Sequence, residues 1–141
     1  MVQAARISIT GTQRMEAMEP QTLELVTDGS YCYEPGFARL SYVESEMTGL
    51  EGVVTSFTVE DGRTVTLRRR GKVNAEMIFD RNQAHDALYD IGVGAMMLTI
   101  VTEDMTVLLN EHGGVLDLDY RVEVEHTLCS RNQYHIEIQT I

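Results

Sequence analysis

Residues 115–126 read VLDLDYRVEVEH, and their alternation decides the fold. Leu116, Leu118, Tyr120, Val122 and Val124 fall on one side, and Asp117, Asp119, Arg121, Glu123 and Glu125 on the other. A β-strand sends successive side chains to opposite faces, so this stretch is a strand with one dry face and one wet face.

The same period extends in both directions. Downstream, residues 133–141 place Tyr134, Ile136 and Ile138 together, with residues 127–132 as the connecting loop and His126 continuing the inward phase. Upstream, strands are expected at 3–12, 22–33, 38–44, 52–60, 63–71, 73–80, 85–91 and 95–102, with a short strand at 106–110. The segment 95–102, AMMLTIVT, is apolar enough for burial on both faces. Residues 83–91, QAHDALYDI, are the one stretch where a helix competes, but they are short and flanked by Asn and Gly.

Turn residues separate the blocks. Asp61-Gly62 is the strongest hairpin signal, since Gly supplies the positive φ of a primed turn. In Glu34-Pro35-Gly36-Phe37, Pro presets φ at the second position and Gly accepts positive φ at the third. The apolar phase changes between Leu25 and Val26, and Gly29 follows, so a bulge or bend is expected there. Glu103-Asp104 and Gly113-Gly114 read as further turns. Ten or so antiparallel strands in one meander must hide their edges by closing or stacking. The expectation is an all-β, single-domain chain (1–141) folded as an antiparallel up-and-down β-barrel of about 8–10 strands, in preference to a two-sheet sandwich.

Composition narrows the function classes. A chain of 141 residues with 43% hydrophobic residues can fill a core. Eleven basic against 22 acidic residues give a net charge of −11, which repels phosphate backbones and argues against nucleic acid as a partner. The run GAMMLTIV is too short to cross a bilayer as a helix, and MVQAARISITG has no apolar core of signal-peptide length. A cytoplasmic location, with Cys32 and Cys129 as reduced thiols, is therefore expected.

No catalytic constellation emerges. Ser41, Ser56 and Cys129 lie in or beside strands without a nucleophile elbow, and Gly92 and Gly94 lack the third glycine and following helix of a phosphate loop. His85, His112, His126 and His135 share no metal-ligand spacing, so neither a metal nor a cofactor is expected. The anomaly is RTVTLRRRG. There Arg69 shares a face with Val65 and Leu67, whereas Arg68 and Arg70 point to water. A guanidinium facing a core needs a partner, and Glu44 shares a face with Leu40 and Tyr42 in LSYVE. Arg69 and Glu44 are expected to meet inside the barrel or at its mouth, with Tyr42 or Tyr120 completing the network. A structural ion pair is one reading. The other is a ligand anchor, with Phe57, Met77, Phe79 and Met97 lining a pocket for a small, partly apolar molecule with an anionic or polar end. A filled barrel acting as a protein-interaction or homo-oligomerisation module is the alternative.

The strings LSYVESEMTGLEGVVTSFTV and VTLRRRGKVNAEMIF, the corner from Tyr89 to Gly94 and the GGVLDLDY segment together resemble the YwiB-like family, a bacterial family of unknown function. The resemblance runs from about Ile7 to Ile138. Matching positions include Ser41, Tyr42, Glu44, Arg69, Gly71, Met77, Phe79, Tyr89, Gly94, Thr102 and Tyr120. Asp90 and Val93 depart from its pattern at the corner, and the Gly-x-Trp signature of true lipocalins is absent because the chain has no Trp. The resemblance implies a calycin-type (lipocalin-like) β-barrel and hints at a cavity. It implies no activity.

Overall fold

Alternation becomes ten strands in the computed structural model, which describes residues 2–141. They are β1 (Gln3–Met15), β2 (Gln21–Glu34), β3 (Phe37–Val43), β4 (Val54–Glu60), β5 (Thr64–Arg70), β6 (Asn74–Asp80), β7 (His85–Asp90), β8 (Ala95–Asn110), β9 (Gly113–Val124) and β10 (Thr127–Thr140). A single 3-10 turn, Glu46–Thr48, lies between β3 and β4. Each strand pairs antiparallel with its sequence neighbours, and β1 closes on β10, so the sheet is a closed up-and-down barrel. Closure removes the exposed edges that an open meander would leave.

The strands are unequal. β1, β2, β8, β9 and β10 run 12 to 16 residues, whereas β3 to β7 run six or seven. The long strands form a twisted sheet whose opposite corners project past the short ones. The lower end carries the turns at 35–36, 61–62, 81–84 and 111–112, and the upper end the loops at 16–20, 44–53, 71–73, 91–94 and 125–126. Asp61 (φ 54°) and Gly62 (φ 62°) adopt the two positive φ values of a type I′ hairpin, as the sequence implies.

Inward side chains form rows across the ladder. Leu40, Phe57, Leu67 and Met77 are register partners in succession, as are Ala38, Val59, Val65 and Phe79 below them. All eight are buried, and they meet Ile7, Ile100, Leu116, Leu118 and Ile136 from the long strands. Each such large side chain contributes about 1.5–3 kcal/mol of apolar burial, so the middle and lower barrel is a packed core.

Several local expectations are corrected. Glu103-Asp104 does not end a strand. β8 continues through it, and the ladder absorbs the irregularity as a register shift between Thr102 and Asp104. β8 is also not buried on both faces, because the sheet alternates there as elsewhere. The last hairpin turns at Glu125 and His126, both with positive φ, so β10 starts at Thr127 and His126 is exposed in the turn. Residues 83–91 are mostly the strand β7, not a helix. The β1–β2 and β2–β3 ladders contain no bulge at Gly29. Gly29 instead marks a close crossing, because a Cβ there would lie 2.3 Å from the Ser41 carbonyl oxygen and 3.1 Å from the Tyr42 Cβ. Among the described residues, no helix is long and apolar enough to cross a membrane.

Candidate functional site

One inward row breaks the apolar rule. Tyr42, Thr55, Arg69, Ala75, Tyr89 and Met96 are successive register partners from β3 to β8, directly above the row of Leu40 and Phe57. Phase alone puts Arg69 inside, because Val65, Leu67 and Arg69 occupy alternate positions of β5. Its neighbours Arg68 and Arg70 face out, and Arg68 meets Glu76 at 2.7 Å.

Glu44 lies just beyond β3 and remains in its inward phase. Its Oε2 is 3.8 Å from Arg69 Nε and accepts a 2.9 Å hydrogen bond from the Thr55 hydroxyl. The pair is largely out of water, with side-chain exposures of 14% for Arg69 and 2% for Glu44. Arg69 Nη2 donates to the Tyr134 hydroxyl at 3.4 Å. Arg69 Nε is fully shielded, and among the described residues no group accepts a hydrogen bond from it. A buried, unmatched donor on a charged group is costly and calls for an explanation.

Aromatic rings surround the guanidinium. Tyr134 lies edge-on to Phe57 at 5.9 Å between centroids and 6.1 Å from Tyr120, which meets Phe79 at 4.7 Å. Gly11 on β1, the register partner of Tyr134, carries no side chain to compete for the space its ring fills. Burial holds the Tyr42 and Tyr120 phenols well above the usual tyrosine range, and the field of Glu44 pushes Tyr42 the same way. Both are therefore neutral hydroxyls near pH 7. Burial alone would lower the pKa of Arg69. The fields of Tyr134, Tyr89 and Glu44 outweigh it and move the guanidinium upward, so its charge is retained.

The structure therefore gathers Arg69, Glu44, Tyr42 and Tyr120, as the sequence indicates, with Phe57, Met77 and Phe79 as the floor beneath them. Met97 does not belong there. It is the register partner of Leu88 on the outer face and is 56% exposed, because the inward phase of β8 falls on Met96, Leu98 and Ile100. Tyr134, Tyr89 and Thr55 are the members that sequence reading left out of the site. Tyr134 was legible as inward, but its proximity to Arg69 depends on barrel curvature.

Exposure rises along the row. Tyr42 and Thr55 are buried, Arg69, Ala75 and Tyr89 are half-buried, and Met96 is 53% exposed. The row is thus most open at its β7–β8 end, while Arg69 itself keeps 14% of its side chain exposed. Three surface hollows lie elsewhere and none is lined by Arg69 or Glu44; the smallest, about 250 Å³, is at Glu60, Arg63 and Asp80. One of about 430 Å³ at the lower end is walled by Tyr33, Phe37, Val107 and Leu109. One of about 360 Å³ on the outer face of β8, β9, β10 and β1 contains Asp104, Asp117, Asp119 and His135. His135 there lies between Asp117 (2.5 Å) and Glu137 (3.0 Å), whose hydrogen bonds raise its pKa above 6.5. Among the described residues, no group of three or more His, Cys, Asp or Glu is placed to hold a metal ion.

A family model described as a domain of unknown function (DUF1934) matches residues 7–136. The crystal structure of ywiB protein from Bacillus subtilis is similar to this chain, with a TM-score of 0.85 and 21% identity over 99% of this chain and 93% of that one. No curated protein matches.

Proposed function

The chain belongs to the DUF1934 family, whose description assigns no activity, and from the barrel itself we propose that it binds a small molecule through Arg69 at the upper end. The observation that carries this is the shielded Arg69 Nε–H with no acceptor, beside a guanidinium that already has one carboxylate for charge balance. A purely structural pair would be expected to close that hydrogen bond. A carboxylate, phosphate or carbonyl oxygen that displaced the side chains shielding it on the Tyr89 and Met96 side would accept it, and the Tyr42, Tyr120 and Tyr134 hydroxyls could add donors. The apolar part would lie on Met96 and the rings around it, with the packed core as a floor.

Native mass spectrometry against a denatured control tests this directly. Excess mass in the native wild-type spectrum, lost in an Arg69→Met/Glu44→Leu double variant, supports the anchor. A ligand retained by the double variant refutes it. Where the protein purifies bare, the Arg69 Nε–Hε resonance reports instead. Failure of short carboxylates and organic phosphates to move that resonance counts against the proposal.

A further inference from the structure

The closed ladder leaves some segments with a neighbour on one side alone, and the start of β2 is one of them. β2 pairs with β1 from Gln21 to Tyr31 but with β3 only from Ser30 onward, so Gln21–Gly29 has a neighbour on one side alone. Among the described residues, no backbone bond outside the ladders reaches this segment. It is the upper projecting corner of the long sheet, beyond the end of β3. A row of free backbone N–H and C=O groups is a template for another strand.

A second observation points the same way. Leu23 and Leu25 are in the inward phase, opposite Gly11 and Ile9, yet Leu23 is 39% exposed and Leu25 only half-buried. Their own barrel is too short there to cover them. On the outer face of the same corner Val26 is 66% exposed. The opposite corner, the lower half of β8, differs because it is guarded. It carries the register shift at Thr102/Asp104, the Asp80 N–H donates to Thr102 Oγ1 at 3.1 Å, Arg81 meets Asp104 at 3.5 Å, and the Tyr31 hydroxyl donates to the Asn110 carbonyl at 2.7 Å. Bulges and bridging charges are how natural sheets blunt an edge; over this segment β2 has no bulge, and the Asp28–Arg6 pair at 3.8 Å runs to β1 on the paired side, not across the open edge.

We infer that β2 is a dimerisation edge, pairing antiparallel with β2 of a second copy about a two-fold axis. Two-fold closure uses the same edge twice and leaves nothing for a third copy. The register follows from phase and charge. Inward must meet inward, so the paired residue numbers sum to an even value. Pairing Glu24 with its own copy or with Asp28 would oppose like charges. Centring on Leu25 avoids both and is the register that pairs the whole free segment from Gln21 to Gly29. Leu25 then faces Leu25 of the partner subunit, Glu24 faces Val26 of the partner subunit, and Thr22 faces Asp28 of the partner subunit. The two leucines extend the core across the junction, and a sheet ten strands wide in one copy continues into the next.

The test uses the full chain. Native mass spectrometry and light scattering at micromolar concentration are expected to give a dimer. Val26 is solvent-facing, so its variants leave the fold intact by circular dichroism. Val26→Glu places a carboxylate opposite Glu24 twice and weakens the dimer by at least about tenfold, whereas Val26→Lys retains it. Directly opposed Cα atoms lie about 4.5–5.5 Å apart, so Leu25→Cys in a Cys32→Ser/Cys129→Ser background cross-links on mild oxidation. A wild-type chain that stays monomeric overturns the inference. So does a dimer indifferent to Val26→Glu, or one that cross-links through Leu108→Cys on β8 and not through Leu25→Cys.

Discussion

Removing Glu44 is the most informative single perturbation of the barrel interior. Its carboxylate is 3.8 Å from Arg69 Nε, with 2% of its own side chain and 14% of the arginine's exposed. At an effective dielectric of about 20, unit charges at that separation attract by about 4 kcal/mol. Desolvating both ions offsets much of this, so the pair's net contribution over an apolar replacement is about zero to 1 kcal/mol. The asymmetry lies in the single variants. Glu44→Leu leaves a guanidinium without its countercharge and the Thr55 hydroxyl without its acceptor, which costs about 3 kcal/mol. Arg69→Met leaves a carboxylate held by Thr55 alone, costing about 2–3 kcal/mol, the lower bound reflecting the option of protonation. The double variant removes both charges and fills the space with apolar atoms, so its cost is about 1 kcal/mol or less. The coupling energy is therefore about 4 kcal/mol, above the usual range of about 0.5–3 kcal/mol for contacting pairs because each single variant strands a buried charge. Urea unfolding of the four proteins measures it, provided the slopes agree. A double variant as unstable as the sum of the two singles would mean that the charges do not meet, and the geometry of the site would be wrong.

Other consequences follow from burial and phase. Met97→Lys should change stability by no more than about 0.5 kcal/mol, whereas Met77→Lys, at the register partner of Leu67 in the core, should abolish cooperative unfolding in a thermal melt. Gly29→Ala should cost more than about 2 kcal/mol by urea unfolding, since its Cβ would meet the Ser41 carbonyl oxygen, a backbone atom that cannot rotate away. His135 should titrate above 6.5 by NMR, owing to its hydrogen bonds with Glu137 and Asp117. Its folded pKa is the higher one, so its contribution is full below pH 6.5 and is lost as pH rises through the folded value. Stability differences between wild type and His135→Ala should shrink in that direction.

Much of the fold was legible because strand alternation is a local property. VLDLDYRVEVEH could be one kind of element only, and Asp61-Gly62 could connect strands in one way. What failed was punctuation. Glu103-Asp104 reads as a turn because two adjacent carboxylates disfavour a ladder, yet a β-bulge accommodates them without ending β8. Glu125 and His126 form the last turn with positive φ, a conformation that neither residue advertises. Strand length was also hidden. Nothing in the residues of β2 announces that β3 would abandon it at Ser30, because that depends on how the other strands tilt.

The site shows the same division. Period two assigns a face, so Arg69, Glu44, Tyr42 and Tyr120 could all be placed inside from their own strands. Met97 was misplaced because consecutive methionines at 96 and 97 leave the phase of β8 ambiguous, and only its pairing with Leu88 resolves it. Period two says nothing about height along the barrel or about which inward residues meet across it. Tyr134 and Arg69 are 65 positions apart on strands that never pair, and their contact is a product of curvature. An inward arginine is therefore readable as an anomaly, but whether its donors are all matched is a three-dimensional fact. The Arg69 Nε without a protein hydrogen-bond partner is such a fact.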